Sequence, residues 1–402
     1  MIEKKILTEI ILKQKKHLDA DLGIIRDVDF KTAKRFANII SGIRRCGKST
    51  FLRQILKNKK KINYVHFEDI RLSEFDKTDF NKLDEIFLEL NGDDAVYLLD
   101  EIQNIKGWEI YVRSLIESNK EVYITGSNVE MLSKELGSRL TGRHIRYDLY
   151  PFNFKEFSLS KKIPLTKKSF ESYLTKGGMP EFVIQDDARI LELLLEDIIY
   201  RDILTRTKIG DVKLVKNVVN YLLSNSGKLI SASKLKNLFD VGSVSTISII
   251  LNALEDAYLI FSIPLFEFSL KKQIRNPKKI YCIDTGFINE LSFQTSPNKG
   301  RLLENLVFIE LKRARNEIYY HKNKHECDFV IKKGTRIVQA IQVCYELTED
   351  NRQREYAGLL EAIKIHNLKE GLLLTLDEED EIKIDNKKII IKPAWKWILS
   401  EK

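Results

Sequence analysis

Cysteine is scarce and scattered. Of 402 residues four are cysteine, Cys46, Cys282, Cys327 and Cys344, and no two stand as a C-x-x-C pair. Such spacing excludes a zinc knuckle and a disulfide framework and fits a reducing compartment. Long apolar runs are missing too. No stretch approaches the roughly 18 residues of a membrane span, and the opening Met1-Ile-Glu-Lys-Lys starts a mixed-charge amphipathic stretch rather than a signal peptide. A cytoplasmic protein with no membrane contact is therefore expected. Acidic residues are outnumbered, 58 against 67 Lys and Arg, leaving a net charge of +9. That balance permits nucleic-acid binding, and a lysine-rich solvated surface accounts for it equally well. With 43% hydrophobic residues the chain is long enough for two to four domains, each with its own core.

What is present organises itself around one stretch. Gly42-Ile43-Arg44-Arg45-Cys46-Gly47-Lys48-Ser49-Thr50 fits the Walker A phosphate loop, between an apolar strand (Phe36 to Ile40) and a helically spaced segment (Phe51 to Leu56). The glycines let successive N–H groups turn towards phosphate oxygens, and the helix N-terminus adds partial positive charge. All nine residues are expected to wrap ATP, with Lys48 reaching the β- and γ-phosphates and Ser49 holding Mg²⁺. About 50 residues on, Asp93 to Glu101 is an apolar strand closing on two carboxylates, the Walker B pattern. Asp100 is expected in the magnesium shell and Glu101 as the base that polarises water.

A further strand, Glu121 to Asn128, ends in Thr125, Ser127 and Asn128, and Ser127 or Asn128 is expected to sense the γ-phosphate. The alternative for that polar end is an N-cap for a helix starting near Val129. Arg139 and Arg143 precede the fifth strand, His144 to Leu149, where an arginine finger could reach a neighbouring subunit of a homo-oligomer, or where ordinary surface charge could sit. Alternation of strand and helix through this region argues a parallel sheet covered on both faces. Residues 1 to 35 read as one or two helices, marked by Ile6, Ile10 and Leu12 and then Leu22 and Ile25.

Four runs carry a family resemblance: Gly42 to Thr50, Leu98-Leu-Asp-Glu-Ile-Gln103, Thr125-Gly-Ser-Asn128 and Leu149-Tyr-Pro-Phe-Asn-Phe-Lys-Glu-Phe157. In these the chain resembles the prokaryotic AAA-type ATPases that carry a C-terminal domain of unknown function. The likeness extends through Gly177 to Glu181, Tyr200-Arg-Asp202 and the Glu304-Asn305 region. It implies an AAA-like core, a helical lid and a winged-helix segment, and no settled biological role.

The remaining residues are read on their own terms. Residues 158 to 205 are helix-rich, and the run from Ala188 to Arg206 reads as one amphipathic helix. Helices at Val212 to Leu223, Ser231 to Phe239 and Ser243 to Tyr258, followed by apolar segments at Leu259 to Phe266 and Lys279 to Asp284, describe a winged helix. Its connection, Lys271 to Lys279, carries five basic residues and reads as a wing tip that grips DNA phosphates. The third helix has no Lys or Arg between Ser243 and Tyr258, which weakens base readout and leaves a protein partner as the alternative. Last comes a helix containing Glu304, then strands at Glu317 to Tyr320, Glu326 to Ile331 and Ile337 to Cys344. That order is similar to the PD-(D/E)xK nuclease core, in which Glu304, Asp328 and Gln342 match three positions. Cys344 stands where that core has lysine, so the resemblance implies an inactive, degenerate site.

The expected architecture is thus α/β: an AAA+-like P-loop NTPase core with a parallel sheet (residues 1–157) and a helical lid (158–206). A winged helix (207–290) and a restriction-endonuclease-like α/β domain (291–402) complete it. The expected activity is Mg-dependent ATP hydrolysis that moves the C-terminal DNA- or protein-binding modules. The alternatives are a nucleotide-gated DNA-binding switch with little turnover and a metal-dependent nuclease.

Overall fold

The computed structural model describes residues 2–127, 142–207, 209–292 and 298–400. They form two compact units, one of residues 1–150 with 256–258, the other of residues 151–255 with 259–402.

The first unit is built on five parallel strands: β1 (Ala37–Ser41), β2 (Ile62–His66), β3 (Val96–Asp100), β4 (Val122–Gly126) and β5 (His144–Asp148). They lie in the order β2-β3-β4-β1-β5. Every residue of β1, β3 and β4 is buried, as expected of interior parallel strands covered on both faces, which read as unbroken apolar runs. Edge strand β5 is half-buried and more polar, which discourages pairing with another chain. Helices α1 (Lys4–Lys15), α2 (Lys48–Leu56), α3 (Asp79–Asn91) and α4 (Trp108–Glu117) supply the covering faces. Trp108, Phe87, Leu83 and Val112 join Leu99 and Ile124 in one core. Since parallel strands present all their carboxyl ends at one edge, Ser41, Asp100 and Gly126 finish on the same side, where ligands of open α/β sheets bind.

The N-terminal segment departs from expectation after its first helix. No helix forms around Leu22 and Ile25, because their backbone is taken by a side chain. Gln54 Nε2 donates to Leu22 O (2.7 Å) and Ile24 O (2.8 Å), and Gln54 Oε1 accepts from Arg26 N (3.1 Å). Gly23, with φ +57°, turns the chain there. Strand β2 stops at His66, and Asp69 caps a short 3-10 turn at Ile70–Leu72.

In the second unit the long amphipathic run is helical throughout but not uniform. Its α-helix, Arg189–Asp197, widens into a π-helix at Ile198–Leu204. There follow α5 (Val212–Ser224), β6 (Leu229–Ile230), α6 (Ala232–Leu238), α7 (Val244–Asp256), β7 (Ile260–Ile263) and β8 (Lys278–Cys282), with sheet order β6-β8-β7. The connection between β7 and β8 is not a bare loop: Leu270–Arg275 is helical. Lys271, Lys272, Arg275 and Lys278 are exposed, whereas Lys279, expected with them on a solvated tip, is buried. Beyond it, α8 (Lys299–Arg313) and α9 (Glu349–Ile365) pack with a six-stranded mixed sheet of β9 (Glu317–Lys322), β10 (Glu326–Lys333), β11 (Arg336–Val343), β12 (Glu370–Thr375), β13 (Asp380–Ile384) and β14 (Lys387–Pro393). Strands β9, β10 and β11 are antiparallel, while β11, β12 and β14 run parallel. The parallel step from β11 to β12 requires a crossover, and α9 provides it.

Candidate functional site

Between β1 and α2 the backbone follows the path that the glycines allow. Gly47, at φ +94°, forms the N-cap of α2, and Arg45 is also left-handed at φ +61°. Gly42 is needed for space, not for an unusual φ: a Cβ there would lie 2.2 Å from Leu149 O. Gly42→Ala is accordingly expected to cost about 1–3 kcal/mol of stability through overpacking, read as a lowered urea-unfolding midpoint with unchanged slope.

The loop is braced by groups that sequence reasoning did not single out. Arg26, itself buried, donates from Nη1 to Cys46 O (2.9 Å) and from Nη2 to Tyr150 O (2.5 Å). The Cys46 thiol donates to Leu149 O at 3.4 Å, and burial pushes that thiol up from its ordinary value. Arg44 pairs with Glu68 at 3.0 Å. Lys48 is buried, its ammonium donating to Gly42 O and Ile43 O at 3.2 Å each and standing 3.7 Å from Glu101 Oε1.

Both acids at the tip of β3 are buried but differ electrostatically. Burial, with the neighbouring Glu101 charge, raises Asp100, against the lowering influence of His66 and of hydrogen bonds from Thr125 and Ser49. His66 Nδ1 stands 3.5 Å from Asp100 Oδ2. For Glu101 burial works upward, yet Lys48, Gln103, Arg44 and the Ser127 N–H together hold it below the usual carboxylate range. Glu101 is therefore an anion near neutrality. It sits in the left-handed region at φ +54°, with its N–H donated to Thr125 Oγ1 (3.1 Å) and its Oε2 accepting from Gln103 and from Ser127 N (3.3 Å). A non-glycine residue held there costs energy that surrounding contacts must offset, a state common at functional sites.

The two sequence motifs thus meet: Lys48, Ser49, Asp100 and Glu101 are neighbours across the carboxyl edge of the sheet. A magnesium ion fits this donor set, because a hydroxyl and a carboxylate already in hydrogen-bond contact offer it hard oxygen ligands. Of the polar residues closing β4, Thr125 is the one bonded to Asp100, while Ser127 reaches Glu101. Asn128 and Arg139, and the helix expected from Val129, lie outside the described residues. Arg143 is exposed just before β5, its carbonyl accepting from Ala37 N. Thr125 was readable in principle as a polar residue ending an apolar strand; Arg26 and Gln103 carried no comparable mark.

In the second unit, Glu304 on α8, Asp328 on β10 and Gln342 on β11 are brought together. Gln342 Oε1 accepts from Asp328 N (3.1 Å), and Asp328 and Glu304 share the ammonium of Lys279. Cys344 lies directly after β11, with its thiol against Glu346 O. Among the described residues no three His, Cys, Asp or Glu side chains are arranged to hold a metal ion, and no helix is long and apolar enough to cross a membrane.

Comparison with known proteins matches three successive segments of the chain. A family model described as an AAA domain matches residues 34–158. Two described as domains of unknown function, DUF8612 and DUF4143, match 167–298 and 299–396. An uncharacterized protein of Methanocaldococcus jannaschii is 35% identical, covering 100% of this chain and 97% of its own length. An uncharacterized protein of Haemophilus influenzae is 30% identical over 90% of this chain and 94% of its own. Solved structures align only loosely. A DNA polymerase III gamma subunit-related protein of Thermotoga maritima aligns at 12% identity and a TM-score of 0.21, over 76% of this chain and 99% of its own. A Drosophila ORC bound to DNA gives 13% identity and the same score, over 76% of this chain and 93% of its own. A score of that size says nothing of a shared fold.

Proposed function

The chain belongs to one family with these two relatives, and its own AAA domain supports a prokaryotic AAA-type ATPase; from that premise we propose an Mg-dependent ATPase whose nucleotide state is passed to its C-terminal modules. The observation that carries the reading is the meeting of Lys48 and Ser49 with Asp100 and Glu101, from stretches about 50 residues apart. Ser49 and Asp100 are the residues that would hold Mg²⁺, which when bound neutralises developing charge on the phosphates.

Each side chain has a definite task in this scheme. Lys48 exchanges the Gly42 and Ile43 carbonyls for phosphate oxygens, a gain because charge-assisted bonds to anions are stronger than bonds to neutral acceptors. The N–H groups from Gly42 to Thr50 line the triphosphate. Glu101 turns from Gln103 and Ser127 to orient a water and accept its proton as the new P–O bond forms. Thr125 holds Asp100 in place, and Ser127, bonded to Glu101, is the residue we assign to sensing the γ-phosphate. Arg143, exposed at the entry to β5, is the described candidate for a finger offered to another copy in a homo-oligomer.

For the modules beyond the core we assign residues 158–206 to a lid, 207–290 to a winged helix and 291–402 to an endonuclease-like domain. Supporting the winged helix are the succession α5-β6-α6-α7-β7-β8 and its three-stranded sheet. The exposed Lys271, Lys272, Arg275 and Lys278 suit DNA phosphates. ATP hydrolysis with and without duplex DNA tests this partner: stimulation by DNA is expected, lost when those four residues are reversed to glutamate. Stimulation that survives the reversal excludes the basic connection as the DNA contact, and a protein partner becomes the reading of choice.

A second reading, a switch that works by occupancy with little turnover, has one observation in its favour. Glu101 is engaged by Lys48, Gln103 and Ser127 and must give up contacts before acting as a base. Burst and steady-state phosphate release distinguish the two, since a switch shows neither. A nuclease is the least supported function, since Cys344 stands where a lysine is needed and the adjoining acids are engaged with Lys279.

A further inference from the structure

The connection from β7 to β8 carries its charge and its apolar surface together, on the outside. Phe268 is 89% exposed, Leu270 73% and Ile274 77%, interleaved with the exposed Lys271, Lys272, Arg275 and Lys278. Apolar residues scattered singly over a surface need no explanation, but three large ones this open and this close together do. In the helix Leu270–Arg275, Leu270 and Ile274 are four apart and share a face, as do Lys271 and Arg275 on the next.

This display is held firmly. Phe266 N donates to Tyr320 O (2.8 Å) before the exposed stretch, and Tyr320 Oη donates to Pro277 O (2.6 Å) after it, so one residue of β9 pins both ends. Between them Gln273 Nε2 donates to Glu267 O (2.5 Å) and Asn276 Nδ2 to Lys272 O (2.8 Å). Phe268 meets Phe266 edge to face, with ring centroids 5.3 Å apart, and Phe266 is braced in turn by Tyr319 (5.4 Å) and His366 (5.1 Å). Phe266 and Tyr319 pack on the core of the C-terminal sheet. Phe268 is thus the open end of an aromatic row anchored in that core.

Charge selects among partners. Against its four exposed cations the connection sets one acid, Glu267, 3.9 Å from Lys272 Nζ, so the partner is an anion. Lysine is depleted at protein–protein interfaces. Three apolar side chains give a bilayer little to hold, since that hold scales with buried apolar area. A polyanion with flat apolar faces answers both halves of the display. In a duplex those faces are taken by neighbouring bases, whereas in a single strand they are open to stack on an aromatic ring. Helix α7, which in the winged-helix assignment would enter a groove, has no Lys or Arg, so the groove side of a duplex is left without a cation.

We propose that this connection binds single-stranded DNA, with a base stacked on Phe268, neighbouring bases against Leu270 and Ile274, and backbone phosphates on the four basic residues. The inference rests on the assignment of DNA to those residues and adds which form of DNA they take. Stacking accepts any base, because every base has a flat face, so binding without sequence preference is expected.

The test is fluorescence anisotropy of the full-length protein with a labelled thymidine oligonucleotide, a duplex of the same length, and an abasic strand with the same phosphates. Wild type is expected to bind the single strand at least about tenfold more tightly than the duplex, the scale of one stacked base. Phe268→Ala should weaken single-strand binding by about 10- to 100-fold and leave its salt dependence unchanged, because stacking releases no counterions. Phe268→Trp should restore the affinity, and wild type should bind the abasic strand no better than F268A binds the thymidine strand. Equal binding of duplex and single strand, or F268A matching wild type on the single strand, overturns this inference while leaving the basic connection as a phosphate contact. Binding of neither form of DNA removes the DNA assignment itself and this inference with it. Phosphatidylglycerol vesicles bound by wild type and not by F268A would then make the segment a membrane contact.

Discussion

Glu101→Gln lowers ATP turnover by about 10²- to 10⁴-fold, the usual contribution of a positioned base, and leaves ATP affinity within a few-fold of wild type. The asymmetry follows from the surroundings of the side chain. Glutamine matches glutamate in shape and still accepts from Ser127 N, so the buried cluster keeps its packing. It cannot take a proton from water. The charge lost is one that Lys48, Gln103 and Arg44 stabilise against burial, so removing it frees the Lys48 ammonium and gives no reason for weaker phosphate binding. Steady-state phosphate release and a fluorescent-nucleotide titration on the same preparation measure the two effects separately. Unimpaired turnover would remove Glu101 from the chemistry; a parallel loss of affinity would make it a binding residue.

Lys48→Ala acts on the other side of that division, weakening ATP binding by roughly 10²- to 10⁴-fold. Two charge-assisted bonds to phosphate oxygens at about 1.5–3 kcal/mol each set the scale. The ammonium is satisfied by the Gly42 and Ile43 carbonyls, and alanine leaves those acceptors short of a donor, so a modest loss of stability accompanies the loss of affinity. Calorimetry with ATP and Mg²⁺ reads the affinity, and urea unfolding reads the stability. Wild-type affinity in this variant would contradict the nucleotide site as drawn, whatever the fate of the C-terminal proposals.

The nucleotide site was legible in the sequence because its chemistry is local. A loop of nine consecutive residues and a strand ending in two acids each announce themselves by spacing, and parallel strands bring their carboxyl ends to a common edge. The supporting residues were not legible, for a physical reason. Arg26 acts from a segment with no regular structure, whose conformation is set by Gln54, a residue on the far side of the phosphate loop. Nothing periodic marks such a contact. Lys279 misled in the opposite way: among Lys271, Lys272, Lys278 and Lys279 it looks like one more surface charge, and only its place on the central strand of a three-stranded sheet, turned towards acids 25 to 49 residues away, buries it. Likewise Leu22 and Ile25 suggested helical spacing, but a side chain claimed the carbonyls that a helix needs.

Leu149 O touches the Cys46 thiol and blocks any Cβ at Gly42, and Tyr150 O is tied through Arg26 to Cys46 O. Through these two peptides the chain passes into residue 151, and it returns to the unit only at residues 256–258. A change in the phosphate loop on gaining or losing a ligand would therefore be felt at the Leu149 and Tyr150 peptides, the point where the backbone leaves this unit.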